Sequence, residues 1–488
     1  MKSLTLKEIC HATSGALSAA NECASISAIC TDSRKLKPGC LFVALRGGNF
    51  DGHKFVEQAA AAGALAAIVD DKFVGPADLA CIRVADTRYA LGELAALVRR
   101  RFTGKVIAVA GSNGKTGTKH LIHSALQGLP QATAAISPSS SLPLSTKGGD
   151  RMAGLRGSMS PKSFNNDIGV PLAIFAADPN DDYVVLELGT NHHGEIARLT
   201  EIARPDIVVI TNCSAEHLEG LTDLAGVRRE NASILSGLAE GGLLFVNGDD
   251  ADLLAAVKTY GTAQISFGFS PTNDLWATDI ECTEGGTHFR LGGGGDFFVP
   301  LLGRHAAVNA LTAIAVARSL GVKHDAIVAG LANSTAPEMR LQLQRAGGLT
   351  ILNDAYNANP ASMLAALQTI RDIPTAGRRV AVLGEMRELG EWSESSHRDI
   401  GQAAAQSQLD ALLCVGPDAK WIADAAKAAG LHGNCITCHN SAEEAAEFLS
   451  QWIGNGDLLL LKGSRAVGLE KIAAALTNSQ AAKLKAAG

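Results

Sequence analysis

The stretch VIAVAGSNGKTGTK, residues 106–119, constrains the fold more than any other part of the chain. An apolar run enters a loop with two glycines, and a helix-like stretch follows Lys115 and Thr116. Gly111 and Gly114 let the backbone turn sharply and approach a ligand closely. The N–H groups of Gly111, Ser112, Asn113 and Gly114, with the start of the helix, then face phosphate oxygens. Lys115 adds a point charge, and the Thr116 hydroxyl suits Mg²⁺. The spacing is the shorter G-x-x-G-K-T form, because Val109 stands where the full phosphate-loop pattern has its first glycine. The plain alternative is a glycine turn with an incidental lysine. A strand, loop and helix in this order imply a parallel α/β sheet that binds a nucleotide phosphate. The loop alone leaves open whether the phosphate serves a switch, a motor, a kinase or the activation of a carboxylate.

At 488 residues the chain exceeds one ordinary domain. Short apolar runs repeat along it, at CLFVALRG, LAAIVD, YVVLELGTN, PDIVVITN, GGLLFVNGDD, TILNDA, RRVAVLGEM, ALLCVG and DLLLLKGS. They read as strands buried on both faces. FVEQAAAAG, RYALGELAALVRRRF and GRHAAVNALTAIAVARSLG read as helices between them. No internal repeat is present. Residues 137–163, rich in Ser, Gly and Pro, break the rhythm and read as a surface loop or insertion.

The formal charge of −6 is mild, so no nucleic acid or anionic membrane is expected as partner. Lys7 and Glu8 interrupt any signal-like apolar core, and no run is long enough to span a bilayer. A cytoplasmic protein is expected. The ten cysteines are scattered and read as reduced thiols. CITCH, residues 435–439, has the spacing of haem attachment, but it leads into a helix cap at Asn440 or Ser441. Haem attachment normally needs export, and no second ligand pair has zinc-like spacing, so no cofactor is expected there.

NDAYNANPASM, residues 353–363, is the most specific string in the chain. Together with the short phosphate loop it resembles the ATP-dependent Mur ligases and their folylpolyglutamate synthetase relatives. Further strings fit in order: TDSRKLKPGCLFVALRG (31–47), FDGHKF (50–55), SFNNDIGVP (163–171), LELGTNHHGEI (186–196), VLGEMRELGEWSESSH (382–397) and KGSRAVGLE (462–470). The resemblance spans nearly the whole chain, apart from 137–163 and the last dozen residues. It implies three α/β domains: a small UDP-binding domain (1–102), a central nucleotide-binding parallel sheet (103–322) and a Rossmann-like domain (323–488). Within the family, it implies the branch that joins D-alanyl-D-alanine to UDP-N-acetylmuramoyl-tripeptide using ATP and Mg²⁺. A monomer is expected.

The resemblance also implies roles for single residues. Lys115 and Thr116 would meet the ATP phosphates and the first Mg²⁺. Glu187 would hold metal from a strand end, and His217 would hold a second Mg²⁺. Asn309, Arg340, Asp354 and Tyr356 would contact the nucleotide, with Asn357 in the same string. Asp32, Ser33 and Arg34 would take the uridine-diphosphate end, and Asn165 and Asn166 the muramoyl part.

Three positions depart from the family pattern. Gly117 stands where Ser or Thr is common, and Ala306 where Asn is usual. Asn231 stands where many members carry a carbamylated lysine that helps hold the second metal, and a neutral amide cannot form a carbamate. Asn231 with waters, a shifted Glu230 or a weakly held metal are the alternatives. His192, His193 and His397 are equal candidates for the base. Rival readings are another ligase of the family, a hydrolysing switch or motor, and an inactive scaffold.

Overall fold

The computed structural model describes residues 1–18, 22–48, 50–76, 78–128 and 154–487, the last nine by backbone alone. Three sheets organise the chain. The first contains β1 (Ala16–Leu17), β2 (Ile29–Cys30), β3 (Leu41–Val43), β4 (Ala66–Asp70) and β5 (Ala80–Val84), in the order β1-β5-β4-β3-β2. All its pairs are parallel except β1–β5. Helix α1 (Thr87–Arg101) leads out of it, capped by Asp86, whose side chain accepts from the Arg88 and Tyr89 N–H groups. The first sheet and one face of the second share a core through α1, with Leu91, Leu94 and Ala95 buried beside Ile196 and Ile202.

The central sheet holds β6 (Lys105–Ala110), β7 (Gly157–Met159), β8 (Tyr183–Glu187), β9 (Ile207–Ile210), β10 (Leu243–Asn247), β11 (Gln264–Gly268), β12 (Leu275–Thr283), β13 (Gly286–Leu291) and β14 (Asp296–Val299). Its order is β7-β8-β6-β9-β10-β11-β12-β13-β14. The strands run parallel up to β12, and the last three form an antiparallel meander. Strand β6 is flanked by β8 on one side and β9 on the other. The chain therefore reverses its winding at the end of β6, the crevice where open α/β sheets bind ligands. Helix α2 (Lys115–Gln127) starts there, and helix α3 (Leu224–Ala232) comes later in the domain. Helix α4 (His305–Ser319) is almost entirely buried against the sheet.

The sequence reading of 137–163 as a loop needs correction where it can be tested. Residues 157–159 form a strand that pairs in parallel with Tyr183–Val185, so the chain rejoins the sheet there. Residues 137–153 lie outside the described residues.

The third sheet contains β15 (Gln342–Ala346), β16 (Leu349–Asp354), β17 (Arg379–Gly384), β18 (Ala411–Val415), β19 (Ile436–His439) and β20 (Leu458–Lys462), in the order β15-β16-β20-β17-β18-β19. It is parallel apart from the β15–β16 hairpin. Helix α5 (Pro360–Asp372) begins at a capping box in which Asn359 and Ser362 satisfy each other's backbone N–H groups. Helix His324–Ala332 packs Ile327 and Leu331 into the central core. We therefore propose that the crossing to the third domain follows this helix, at 333–341, rather than lying at the expected 322/323. Met339 (φ 54°) and Leu341 (φ 45°) both take left-handed backbone in that crossing. Among the described residues no helix is long and apolar enough to cross a membrane.

Candidate active site

Strand register brings the first elements of the site together. Val109 lies opposite Glu187, and Ala110 lies opposite Ile210. The loop after β6, the end of β8 and the segment after β9 therefore open at one edge. Gly111 (φ 128°) and Gly114 (φ 81°) use left-handed or extended positive-φ backbone that L side chains resist. The loop is braced from β9. The Thr211 hydroxyl and Asn212 Nδ2 donate to the Asn113 carbonyl at 2.6 and 2.8 Å. The Ser112 N–H donates to the Asn212 carbonyl at 2.8 Å. Lys115 Nζ folds back onto the carbonyls of Gly111 (2.5 Å) and Ser112 (3.0 Å).

This loop forms part of a cleft of about 1210 Å³, walled by all three domains. Asn309, on α4, reaches the loop: a Cβ at Gly114 would stand 2.8 Å from its Oδ1, and one at Gly117 would stand 3.6 Å from its Nδ2. Ala306, one turn earlier, is buried in the cleft wall. From the third domain, Asn359 Nδ2 donates to Asn113 Oδ1 at 2.9 Å. Arg340 lays its guanidinium 4.0 Å over the Tyr356 ring and donates to Ser163 Oγ at 3.4 Å. Asp354 braces this corner, because Oδ1 accepts from the Leu341 N–H (3.1 Å) and Oδ2 pairs with Lys462 Nζ (2.9 Å). Lys462 also donates to the Asn357 carbonyl at 2.7 Å.

Glu187 is 1% exposed. Its carboxylate accepts from the Thr116 hydroxyl (2.8 Å) and Asn165 Nδ2 (3.0 Å), and pairs with Lys119 Nζ at 3.2 Å. Burial works against its charge. The nearby Lys119, Arg340 and Lys115, with the Thr116 bond, outweigh burial and hold the carboxyl below its ordinary value. Burial in turn pushes the Lys119 ammonium down, and Glu187 opposes that shift. The sequence reading missed Lys119. The available signal was its place three residues after Thr116, on the same helix face.

A charged carboxylate beside a threonine hydroxyl and a phosphate loop is an oxygen donor set that fits Mg²⁺. His217 sits across the cleft with left-handed backbone (φ 49°). Its Nδ1 is paired with Glu388 of the third domain, and its Nε2 faces Glu216 Oε2 at 3.9 Å. Glu216, 6% exposed, lines the cleft and was not singled out in the sequence.

Other candidates separate cleanly. Asn165 and Asn166 both line the cleft, and Asn166 Oδ1 also caps the helix Gly169–Ala176 by accepting from the Gly169 N–H at 2.8 Å. Asp32, Ser33 and Arg34 form a turn after β2 and do not line the cleft. Side-chain and backbone bonds from Arg34 hold the Asp32 carboxyl down at about 2. Asn231 is 1% exposed, and its Nδ2 donates to the Val227 carbonyl one turn back on α3. Glu230 accepts from the N–H groups of Gly194 and Ile196, each at 2.8 Å. His397 is fully buried, with Nε2 accepting from the Met386 N–H and Nδ1 bonded to the Ser393 carbonyl. His192 is exposed beside Glu195, whereas His193 lines the cleft.

Family models match most of the chain: the Mur ligase catalytic domain at residues 25–99, the Mur ligase middle domain at 109–317 and the Mur ligase glutamate ligase domain at 339–465. The chain is 39% identical over 483 residues to UDP-N-acetylmuramoyl-tripeptide–D-alanyl-D-alanine ligase of Escherichia coli K12, covering 98% of this chain and 99% of that one. It is 35% identical to the enzyme of the same name from Bacillus subtilis 168, with 97% and 98% covered. Among solved structures, MurF from Acinetobacter baumannii superposes with a TM-score of 0.84 at 30% identity, covering 98% and 99% of the two chains. MurF ligase from Thermotoga maritima in complex with ADP gives 0.78 at 26% identity, covering 93% and 98%.

Proposed function

The chain belongs to the Mur ligase family, and from that premise we propose that it joins D-alanyl-D-alanine to UDP-N-acetylmuramoyl-tripeptide at the expense of ATP, in the building of peptidoglycan precursors. Relatives similar over nearly their full length carry that activity in their names. The observation that carries the reading is the phosphate loop set in a cleft walled by all three domains, with Asn359 of the third bonded to Asn113 of the loop.

An amide does not form from a free carboxylate in water without activation. The terminal carboxylate of the tripeptide attacks the γ-phosphorus of ATP, and ADP leaves. The amine of the dipeptide then attacks the acyl carbon, and phosphate departs. The chain's part is alignment and charge. Lys115, now on loop carbonyls, turns its ammonium to the phosphate oxygens. Asn309 and the Arg340–Tyr356 platform flank the nucleotide. Thr116 and Glu187, with His217 on the far side, would hold Mg²⁺, which would supply positive charge against the repulsion between carboxylate and phosphate. The acyl phosphate must be kept from water. Contacts across the domains, Asn359 to Asn113 and Glu388 to His217, serve that closure. Of the three histidines weighed as base, His193 is the one on the cleft wall.

The test is ATP-dependent phosphate release with each substrate omitted in turn. Release that needs both substrates, with UDP-N-acetylmuramoyl-pentapeptide identified by mass, is the expected result. Release from ATP alone would make the protein a hydrolysing switch or motor instead.

A further inference from the structure

Glu216 poses a physical question. A glutamate that is 94% buried, with its oxygens open only to a cleft, usually has hydrogen bonds or a counter-charge. Among the described residues Glu216 makes no hydrogen bond, and its one charge contact is His217 Nε2 at 3.9 Å. That contact does not satisfy it. His217 Nδ1 is given to Glu388, which leaves Nε2 as the ring nitrogen turned toward Glu216 and the cleft. Nε2 and a carboxylate oxygen face each other in the cleft, a few residues from the segment that braces the phosphate loop. A carboxylate oxygen and an imidazole nitrogen so placed are both of the donor types that can share a divalent cation.

The other groups at hand are committed elsewhere. Asn231 is tied to its own helix, and both Glu230 oxygens are taken by the backbone of the 194–196 turn. Among the described residues no three acidic, histidine or cysteine side chains form a ready-made metal cage. Mg²⁺ commonly binds through one or two protein ligands, with phosphate oxygens and water completing the shell. Ligands on one Mg²⁺ stand about 3.0 Å apart when adjacent and about 4.2 Å when opposite, from bonds of about 2.1 Å. The observed 3.9 Å is about 0.9 Å wider than an adjacent pair, so a bound ion would draw the two groups together by that much.

We propose that Glu216 and His217 Nε2 form the protein half of the second divalent-cation site, with Glu216 supplying the negative charge that Asn231 cannot. This rests on the ligase reading above. Glu388 is a positioning residue, because it holds the ring through Nδ1 from the third domain.

The experiment counts Mn²⁺ bound to the full chain with β,γ-methylene-ATP, by electron paramagnetic resonance. Wild type is expected to bind two ions per chain. Glu216→Gln should keep the first with unchanged affinity and lose the second, or weaken it tenfold or more. Glu216→Asp, which keeps the carboxylate, should recover second-site binding at least in part. The count should stay at two after bicarbonate and CO₂ are removed. Four results would each overturn the proposal. These are one ion in wild type, two unchanged ions in Glu216→Gln, loss of the first ion together with the second, or a second ion that depends on bicarbonate. The ion count uses neither peptide substrate. Absence of the pentapeptide product with two ions bound would sink the ligase reading and leave the cation site standing.

Discussion

Two carboxylates face the same cleft and are solved in opposite ways. Glu187 is buried and complete, with Thr116, Asn165 and Lys119 on its oxygens. Glu216 is nearly as buried, with His217 Nε2 at 3.9 Å its one such neighbour among the described residues. The first pole is finished inside the central domain, at a strand end fixed by parallel register. The second is built on a short helical turn and closed by Glu388 from another domain. The first pole therefore survives whether or not the domains close, whereas the second depends on closure and on a cation.

Variants can break this comparison or sharpen it. Lys115→Ala removes the charge between the poles. Turnover should fall about 10³-fold or more, as for loss of a main transition-state contact. Melting should barely change, since Lys115 bonds only loop carbonyls. Near-normal turnover would remove the phosphate-loop assignment.

Lys119→Met strands Glu187 as a buried charge, and stability should drop by about 3 kcal/mol in denaturant titration. A loss under about 1 kcal/mol would mean that the first pole is not self-contained. The same pair sets a pH dependence. Glu187 titrates below its ordinary 4.5 in the folded chain. Its contribution is therefore full above pH 4.5 and is lost as pH falls through the lower folded value. The melting gap between wild type and Glu187→Gln should narrow in acid, and a widening gap would reverse the sign argued here.

Glu388→Ala should weaken only the second Mn²⁺, by about tenfold, the usual effect of removing a group that orients a ligand histidine. An equal change at the first ion would erase the difference between the poles. Asn231→Ala should cost about 1 kcal/mol for the lost helix bond and leave both ions in place. A lost ion would bring Asn231 back into the site.

The contrast also explains what the sequence disclosed. The phosphate loop and Glu187 were legible because an apolar strand ending in a turn has one place to aim its next polar residue. The parallel strands were legible for a related reason, as continuous apolar runs. The β12–β14 meander was not, since its half-exposed strands alternate and end in a run of four glycines, 292–295. Lys119 was hidden because a lysine on a helix reads as solvated. Glu216 was hidden because an acid next to a histidine has no spacing signature, and only burial reveals it. The turn at Asp32–Arg34 was read as substrate-binding, and its residues satisfy one another away from the cleft.

The crossing into the third domain carries one further consequence. Met339 and Leu341 hold Arg340 between two left-handed backbones, each costing an L-residue about 1 kcal/mol or more. Folding has thus already placed the backbone from which the guanidinium reaches over Tyr356. An arriving nucleotide meets an arginine whose backbone is already ordered, so that part of the ordering penalty falls on the apoprotein's own stability rather than on ligand affinity.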